Sequence, residues 1–231
     1  MEALAALDHR FSIVEDTIRV GGRDLVLEKP RKADDLISEA DFAHDERLPY
    51  WADLWPSAAS LAQHLLVVDP APKGARALEL GCGLGLVTIA AQLAGYDVTA
   101  TDYYEDALLF TARNAVRASG TLPSVRMVDW RAMPDDLGRF DLVLAADVLY
   151  ELKYGSLVAR VIRQTLAPGG RAYVADQGRM AMGAFLEEAD RLGLRVREVH
   201  RAVRTSPAVE GAGSTGHTIT IHELRNADAR S

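Results

Sequence analysis

Ala77-Leu78-Glu79-Leu80-Gly81-Cys82-Gly83-Leu84-Gly85 is the stretch that decides the fold of this 231-residue chain. Residues 77–80 read as a short buried strand and residues 85–93 as an apolar helix. Between them glycine recurs at every second position, which lets the backbone turn sharply and come close to a ligand. A strand that passes through a glycine turn into a helix is the opening unit of an open α/β sheet, whose ligands lie beyond the carboxyl ends of the strands. The competing reading is a glycine turn that only closes a strand–helix unit.

The alternation continues downstream. Strands are expected over 97–101, 125–128, 140–145 and 171–175, and helices over 105–119, 154–166 and 182–192. Pro168-Gly169-Gly170 reads as a stop and turn after the 154–166 helix. Residues 194–203 and 218–224 read as two closing strands that can pair as a hairpin, with a loop rich in Gly, Ser and Ala over 205–216 between them. These signals predict a Rossmann-like, doubly wound α/β fold. Its sheet is mostly parallel and seven-stranded, with helices on both faces and a C-terminal antiparallel hairpin. Upstream, residues 11–20 and 23–28 flank Gly21-Gly22, a two-residue hairpin signal. Residues 30–45 are charged and read as irregular. Leu48-Pro49-Tyr50-Trp51-Ala52-Asp53-Leu54-Trp55-Pro56 is aromatic-rich, and 57–67 reads as a helix. The expected division is an N-terminal β-hairpin extension over 1–47 and a main domain over 48–231.

Composition narrows the function classes. Hydrophobic residues at 48% and charged residues at 26% describe an ordinary globular chain and exclude fibrous and long disordered classes. The net charge of -7 argues against broad nucleic-acid binding, which needs a basic surface. Cys82 is the single cysteine, so no intrachain disulfide and no cysteine-based zinc site can form, which fits a reducing compartment. The six histidines show no metal-ligand spacing. The first residues lack a basic start followed by an apolar run, and no stretch of about 18 residues is free of charge. The expectation is a cytoplasmic chain with no membrane partner, no nucleic-acid partner and no metal.

Asp102 lies 21 residues after Gly81, at the end of the next expected strand, where a carboxylate can accept hydrogen bonds from both ribose hydroxyls. Two features argue against a dinucleotide. Leu86 stands where that fingerprint needs its third glycine, and Glu79 puts a carboxylate beside the loop that would hold a pyrophosphate. A cofactor with a cationic amino-acid tail can use Glu79. S-adenosylmethionine, which joins adenosine, a sulfonium and an amino acid and has no phosphate, is such a cofactor.

At these residues the chain resembles the seven-β-strand S-adenosylmethionine-dependent methyltransferases, and within them the group of protein methyltransferases called family 16. The run Glu79 to Gly85, with Gly81, Cys82, Gly83 and Gly85, resembles the first cofactor motif. Asp102-Tyr103 resembles the ribose-binding position. Asp129-Trp130 resembles the pair that holds the adenine. Ala146-Asp147-Val148-Leu149-Tyr150-Glu151 resembles the motif in which a strand ends at the active site. Trp55-Pro56 fits this group's mouth of the cofactor pocket. The aromatic run around Trp51, together with Ala175-Asp176-Gln177-Gly178-Arg179, is most similar to the subgroup that methylates lysine in the electron-transfer flavoprotein β subunit. That subgroup carries proline at the position of Gln177.

The resemblance implies methyl transfer to a side-chain amine of a protein, with lysine the expected acceptor. It implies that Asp147 binds and orients the amine, that Tyr150 offers a hydroxyl and a ring face for the cation, and that Trp51 walls the acceptor channel. Glu151 is read either as solvated or as touching substrate. Structural readings stay open beside these. Asp147 can cap a loop, Tyr150 can be a half-buried aromatic, Asp129 a turn residue, and Trp130, Trp51 and Trp55 plain core. Cys82 reads as filler in the glycine turn, Asn114 as structural, and Arg191, Arg195, Arg197, Arg201 and Arg204 as a solvated face. The competing functions are a methyltransferase for a small-molecule amine, an S-adenosylmethionine-binding module without turnover, and an NAD-dependent oxidoreductase.

Overall fold

The computed structural model describes residues 7–32, 49–68, 71–205 and 216–227. The irregular segment expected over 30–45 and the loop expected over 205–216 lie almost wholly outside the described residues. A short helix α1 (Leu7–Arg10) leads into β1 (Ile13–Val20) and β2 (Arg23–Pro30). Val20 pairs with Arg23, so Gly21 and Gly22 form the whole turn, at φ 56° and 75°. Both central residues at positive φ match the twist of the flanking strands, as the Gly-Gly pair predicts.

The main sheet follows with its helices: α2 (Pro56–Val68), β3 (Arg76–Leu80), α3 (Leu86–Leu93), β4 (Asp97–Asp102), α4 (Glu105–Ser119), β5 (Ser124–Met127), β6 (Phe140–Ala146), α5 (Leu152–Thr165), β7 (Leu166–Asp176), α6 (Met182–Arg191), β8 (Leu194–Thr205) and β9 (Gly216–Asn226). The seven strands run in the order β5-β4-β3-β6-β7-β9-β8. All pairings are parallel except those of β9, which is antiparallel to both neighbours. The fold is the Rossmann-like α/β architecture expected from the sequence, with its one antiparallel strand inside the closing hairpin. The chain moves outward from β3 to β5 and then returns to the other side of β3. That reversal opens a crevice at the carboxyl ends of β3 and β6.

Side chains alternate between the two faces of the sheet. Ala77, Leu142, Leu144, Tyr173 and Ile221 pack under α2 and α3 on one face. Leu78, Leu80, Val143, Val174 and Leu224 pack under α5 and α6 on the other. The N-terminal hairpin joins the first layer through Val20, Leu25 and Leu27. Each fully buried aliphatic side chain there contributes about 1.5–3 kcal/mol.

One sequence expectation is corrected. Pro168-Gly169-Gly170 does not separate a helix from a strand. It lies within β7, where Leu166 already pairs with Phe140 and the register then shifts before Arg171 pairs with Leu142. Gly169 at φ 76° absorbs the irregularity, and a Cβ on Gly170 would sit 3.0 Å from the Asp141 carbonyl. The glycines therefore serve a bulge that keeps pairing on both sides, a role glycine also fills in strands. The arginine-rich C-terminal region is held on its own chain, with Arg191 on Glu188, Arg197 on Glu223 and Arg201 on Glu198. Among the described residues, no helix is long and apolar enough to cross a membrane, and no group of three or more His, Cys, Asp or Glu could hold a metal ion.

Candidate active site

A cavity of about 400 Å³ opens at the switch point. Its wall takes in Trp51, Trp55, Glu79, Gly81, Cys82, Gly83, Asp102, Tyr103, Asp129, Trp130, Ala146, Asp147, Tyr150 and Glu151. The topology thus gathers segments that the sequence keeps up to a hundred residues apart. Gly85 does not line the cavity. It stands behind the turn as the left-handed residue before α3, at φ 86°.

The glycine turn is held by hydrogen bonds on every side. The Gly81 and Cys82 amides both donate to the Thr101 carbonyl at 2.9 Å. The Thr111 hydroxyl donates to the Gly83 carbonyl at 2.9 Å. Side chains are excluded at these glycines, since a Cβ on Gly83 would sit 3.2 Å from the Trp51 carbonyl. Asp102 reaches back to the same turn. Its Oδ2 accepts from the Gly83 amide at 3.0 Å and its Oδ1 from the Tyr104 amide at 3.1 Å. The Tyr103 amide also acts on this carboxylate, which lines the cavity with acceptor capacity left for a ligand hydroxyl. Burial pushes its pKa up, and the backbone amides partly oppose that.

Glu79 lies at the floor, 2% exposed, and accepts a hydrogen bond from the Thr88 hydroxyl. Burial pushes its pKa up to about 8, against the Thr88 bond and with a further push from Asp102. Cys82 is buried, and burial raises its thiol well above the ordinary range, which suits an inert filler.

The other end of the cavity is built on Asp147. It is the one non-glycine residue with positive φ among the described residues, at 57°. A strained backbone at a cleft is a recurring mark of functional positions. Its amide donates to the Ala175 carbonyl at 2.9 Å. Oδ1 accepts from Gln177 Nε2 at 2.9 Å and from Arg179 Nε at 3.2 Å, while Oδ2 is buried without a partner.

Around it runs a file of aromatic rings in edge contact. Trp55 to Tyr50 is 5.9 Å between centroids, Tyr50 to Tyr150 is 5.2 Å, Tyr150 to Tyr154 is 5.2 Å and Trp130 to Tyr154 is 5.7 Å. Burial raises the Tyr150 hydroxyl far above its usual range, with Tyr154 and Glu151 adding to the effect. It is a neutral hydrogen-bonding group at physiological pH.

Other expected residues carry partners of their own. Asp129 accepts a two-pronged contact from Arg131, at 2.9 and 2.8 Å. Glu151 pairs with Lys153 at 2.7 Å. Trp51 turns its ring into a cluster with Phe110 and Phe11. The cations on the wall, Arg131, Lys153 and Arg179, are each engaged by a carboxylate. Glu79, Asp102 and Asp147 meanwhile face the same space. Such a wall offers a diphosphate no uncommitted cation among the described residues and offers hydroxyls and a cationic group acceptor oxygens.

Residues 42–191 match the family described as lysine methyltransferase. The chain belongs to that family. It is 27% identical over 135 residues to the electron transfer flavoprotein beta subunit lysine methyltransferase of Xenopus laevis, a match that covers 57% of this chain and 53% of that protein. It is 32% identical over 145 residues to EEF1A lysine methyltransferase 3 of Mus musculus, covering 60% of each. The chain thus spans about half to three-fifths of the length of these curated relatives. Among solved structures, the precorrin-6y C5,15-methyltransferase of Geobacter metallireducens superposes with a TM-score of 0.55 at 16% identity, over 73% of this chain and 87% of that one. At that identity the likeness is one of fold.

In this lysine methyltransferase family member, sequence reading left several wall residues unassigned, Tyr50, Tyr154 and Arg179 among them. Tyr50 and Tyr154 complete the aromatic file. Tyr154 lies in the first turn of α5 and meets Tyr150, which precedes the helix, at 5.2 Å between ring centroids. Arg179 carries no signal of its own beyond the run Ala175-Asp176-Gln177-Gly178-Arg179. Its approach to Asp147 depends on the parallel register of β6 and β7, which no local pattern reveals.

Proposed function

We propose that this chain transfers a methyl group from S-adenosylmethionine to a side-chain amine of a protein substrate, with lysine the acceptor. The observation that carries the reading is Asp147, which lines the same cavity as Asp102 and the glycine turn and holds a buried Oδ2 without a hydrogen-bond partner. Family membership supports the reaction class. The lysine assignment follows the names of the two relatives above.

Asp102 would hold the two ribose hydroxyls, the glycine turn would let the ligand lie against bare backbone, and Glu79 would meet a cationic amino group. The cofactor, when bound, supplies an electrophilic methyl carbon on a sulfonium. The chain's own task is to present a neutral nitrogen to that carbon. An unperturbed lysine has a pKa of about 10.4, so neutralising it near pH 7.4 costs about 4 kcal/mol. The aromatic file around Tyr150 strips water from the amine, which lowers that cost. Asp147 Oδ2 accepts one N–H and fixes the direction of the lone pair. Alignment of this kind can supply much of the rate enhancement in a displacement reaction.

Calorimetry and methyl transfer test the two halves separately. The wild-type chain is expected to bind S-adenosylmethionine and not NAD. Asp102→Ala should weaken that binding at least about 30-fold, from the loss of two charge-assisted hydrogen bonds. Asp147→Ala should keep binding within a few-fold and lose most turnover, read as tritium transferred to lysate protein and located on lysine by mass spectrometry. Unchanged cofactor affinity in Asp102→Ala sinks the binding assignment. Label found only on small molecules moves the acceptor to a metabolite amine.

A further inference from the structure

We propose that Arg179 is a positioning residue for the methyl acceptor: by neutralising Asp147 from its Oδ1 side, it lets Oδ2 receive the amine without fixing it as an ammonium. The inference rests on the amine-methylation reading above and assigns a part to a residue which that reading left unused.

The arrangement is built, not incidental. Asp176 is fully buried at the end of β7, and its Oδ1 accepts the amides of Gly178 and Arg179, both at 2.7 Å. Gly178 turns the chain at φ 80°. This short turn delivers Arg179 Nε to Asp147 Oδ1 at 3.2 Å and lays the guanidinium over the Trp55 ring at 5.1 Å. Gln177 takes a second position on the same oxygen at 2.9 Å. One oxygen of Asp147 is thereby saturated, and the other is left buried without a partner on a residue that lines the cavity.

The chemistry explains why that division matters. A lone buried carboxylate beside an amine holds the ammonium form and raises its pKa, which works against transfer. A guanidinium on the far side cancels most of that field and keeps the hydrogen-bond acceptor. Arginine suits the role because it stays charged at all working pH values. Asp176 acts on this pair directly, and the other charged or titratable groups on the same cavity wall are Tyr50 and Asp53 before α2, Glu79 from β3, Cys82 in the glycine turn, Asp102 from β4, Tyr103 and Tyr104 before α4, Asp129 and Arg131 after β5, Tyr150 and Glu151 after β6, and Lys153 and Tyr154 from α5. Asp53 and Glu151 are already met by Lys29 and Lys153.

The test compares wild type, Arg179→Gln and Arg179→Lys. The first readout needs no turnover. Titration with n-butylammonium at pH 7, followed by NMR, should show binding about five- to tenfold tighter in Arg179→Gln, where Asp147 is unopposed, and near wild type in Arg179→Lys. The second is the pH at half-maximal tritium transfer to lysate protein, which should rise by about one unit in Arg179→Gln and stay within a few tenths in Arg179→Lys. Melting temperatures within a few degrees of wild type check that the fold survives. Butylammonium binding that is absent, unchanged or weaker in Arg179→Gln overturns the proposal, as does Arg179→Lys behaving like Arg179→Gln. If butylammonium tightens as expected while no variant transfers label, the charge balance stands and the methyl-transfer reading falls.

Discussion

Glu28 and Asn114, 86 residues apart in sequence, exchange two buried hydrogen bonds: the Glu28 amide donates to Asn114 Oδ1 at 2.8 Å, and Asn114 Nδ2 donates to the Glu28 carbonyl at 2.9 Å. The same Nδ2 donates to the Leu84 carbonyl at 3.0 Å. One side chain on α4 therefore ties the N-terminal hairpin to the glycine turn. Asn114→Ala leaves three buried backbone groups unpaired and should cost about 3 kcal/mol of stability, measured by urea unfolding. Glu15→Ala, which removes an exposed partner of Arg117, should cost under about 0.5 kcal/mol. Equal losses in the two variants would show that the hairpin is held by its charged rim, and not by this amide.

Gly85 and Gly22 both sit at positive φ, but their surroundings differ. A Cβ on Gly85 would lie 2.9 Å from the Thr111 Cα, a backbone atom of α4 that cannot step aside. A Cβ on Gly22 meets nothing within 4 Å. Gly22→Ala should therefore cost only the left-handed conformation, about 1 kcal/mol. Gly85→Ala adds overpacking between α3 and α4 and should cost about 3 kcal/mol or more. Thermal unfolding of the pair distinguishes them, and similar melting temperatures would contradict the clash.

What was legible in the sequence follows the range of the interactions involved. Helix and strand periods, the Gly21-Gly22 turn and the strand–glycine–helix run are local, and the structure keeps them within a few residues of their expected bounds. Asp102 and Asp147 were readable because one ends β4 and the other directly follows β6, and the carboxyl ends of these strands face the crevice. Pro168-Gly169-Gly170 misled because a bulge and a turn call for the same residues, and only the partner strand tells them apart. The hairpin's anchorage through Asn114 and the approach of Arg179 to Asp147 are set by contacts between distant segments, so no window of sequence contains them. The Asp129–Arg131 pair spans only two residues, but an Asp-Trp-Arg run fits a carboxylate turned to a ligand as well as one turned to its own arginine, and only the backbone turn after β5 decides between them.

Glu79 makes the protein's stability depend on pH in a direction opposite to that of an ordinary paired carboxylate. The unfolded chain releases this proton near 4.5, whereas the folded chain holds it to about 8. Between those values the folded state binds more protons, so stability falls as pH rises, and it levels off above about 8. Glu79→Gln removes the titration. The wild type should lose up to about 4 kcal/mol relative to this variant between pH 5 and pH 8, measured by urea unfolding at each pH. A constant difference between the two would place the group's pKa near its ordinary value. The proposed ligand adds a second consequence, because a cationic amino group beside Glu79 favours the carboxylate and expels the proton. Binding of S-adenosylmethionine at pH 7 should then release close to one proton, seen as a binding enthalpy that differs between phosphate and Tris buffers. Glu79→Gln should bind with the same enthalpy in both, since its amide has no proton to give up.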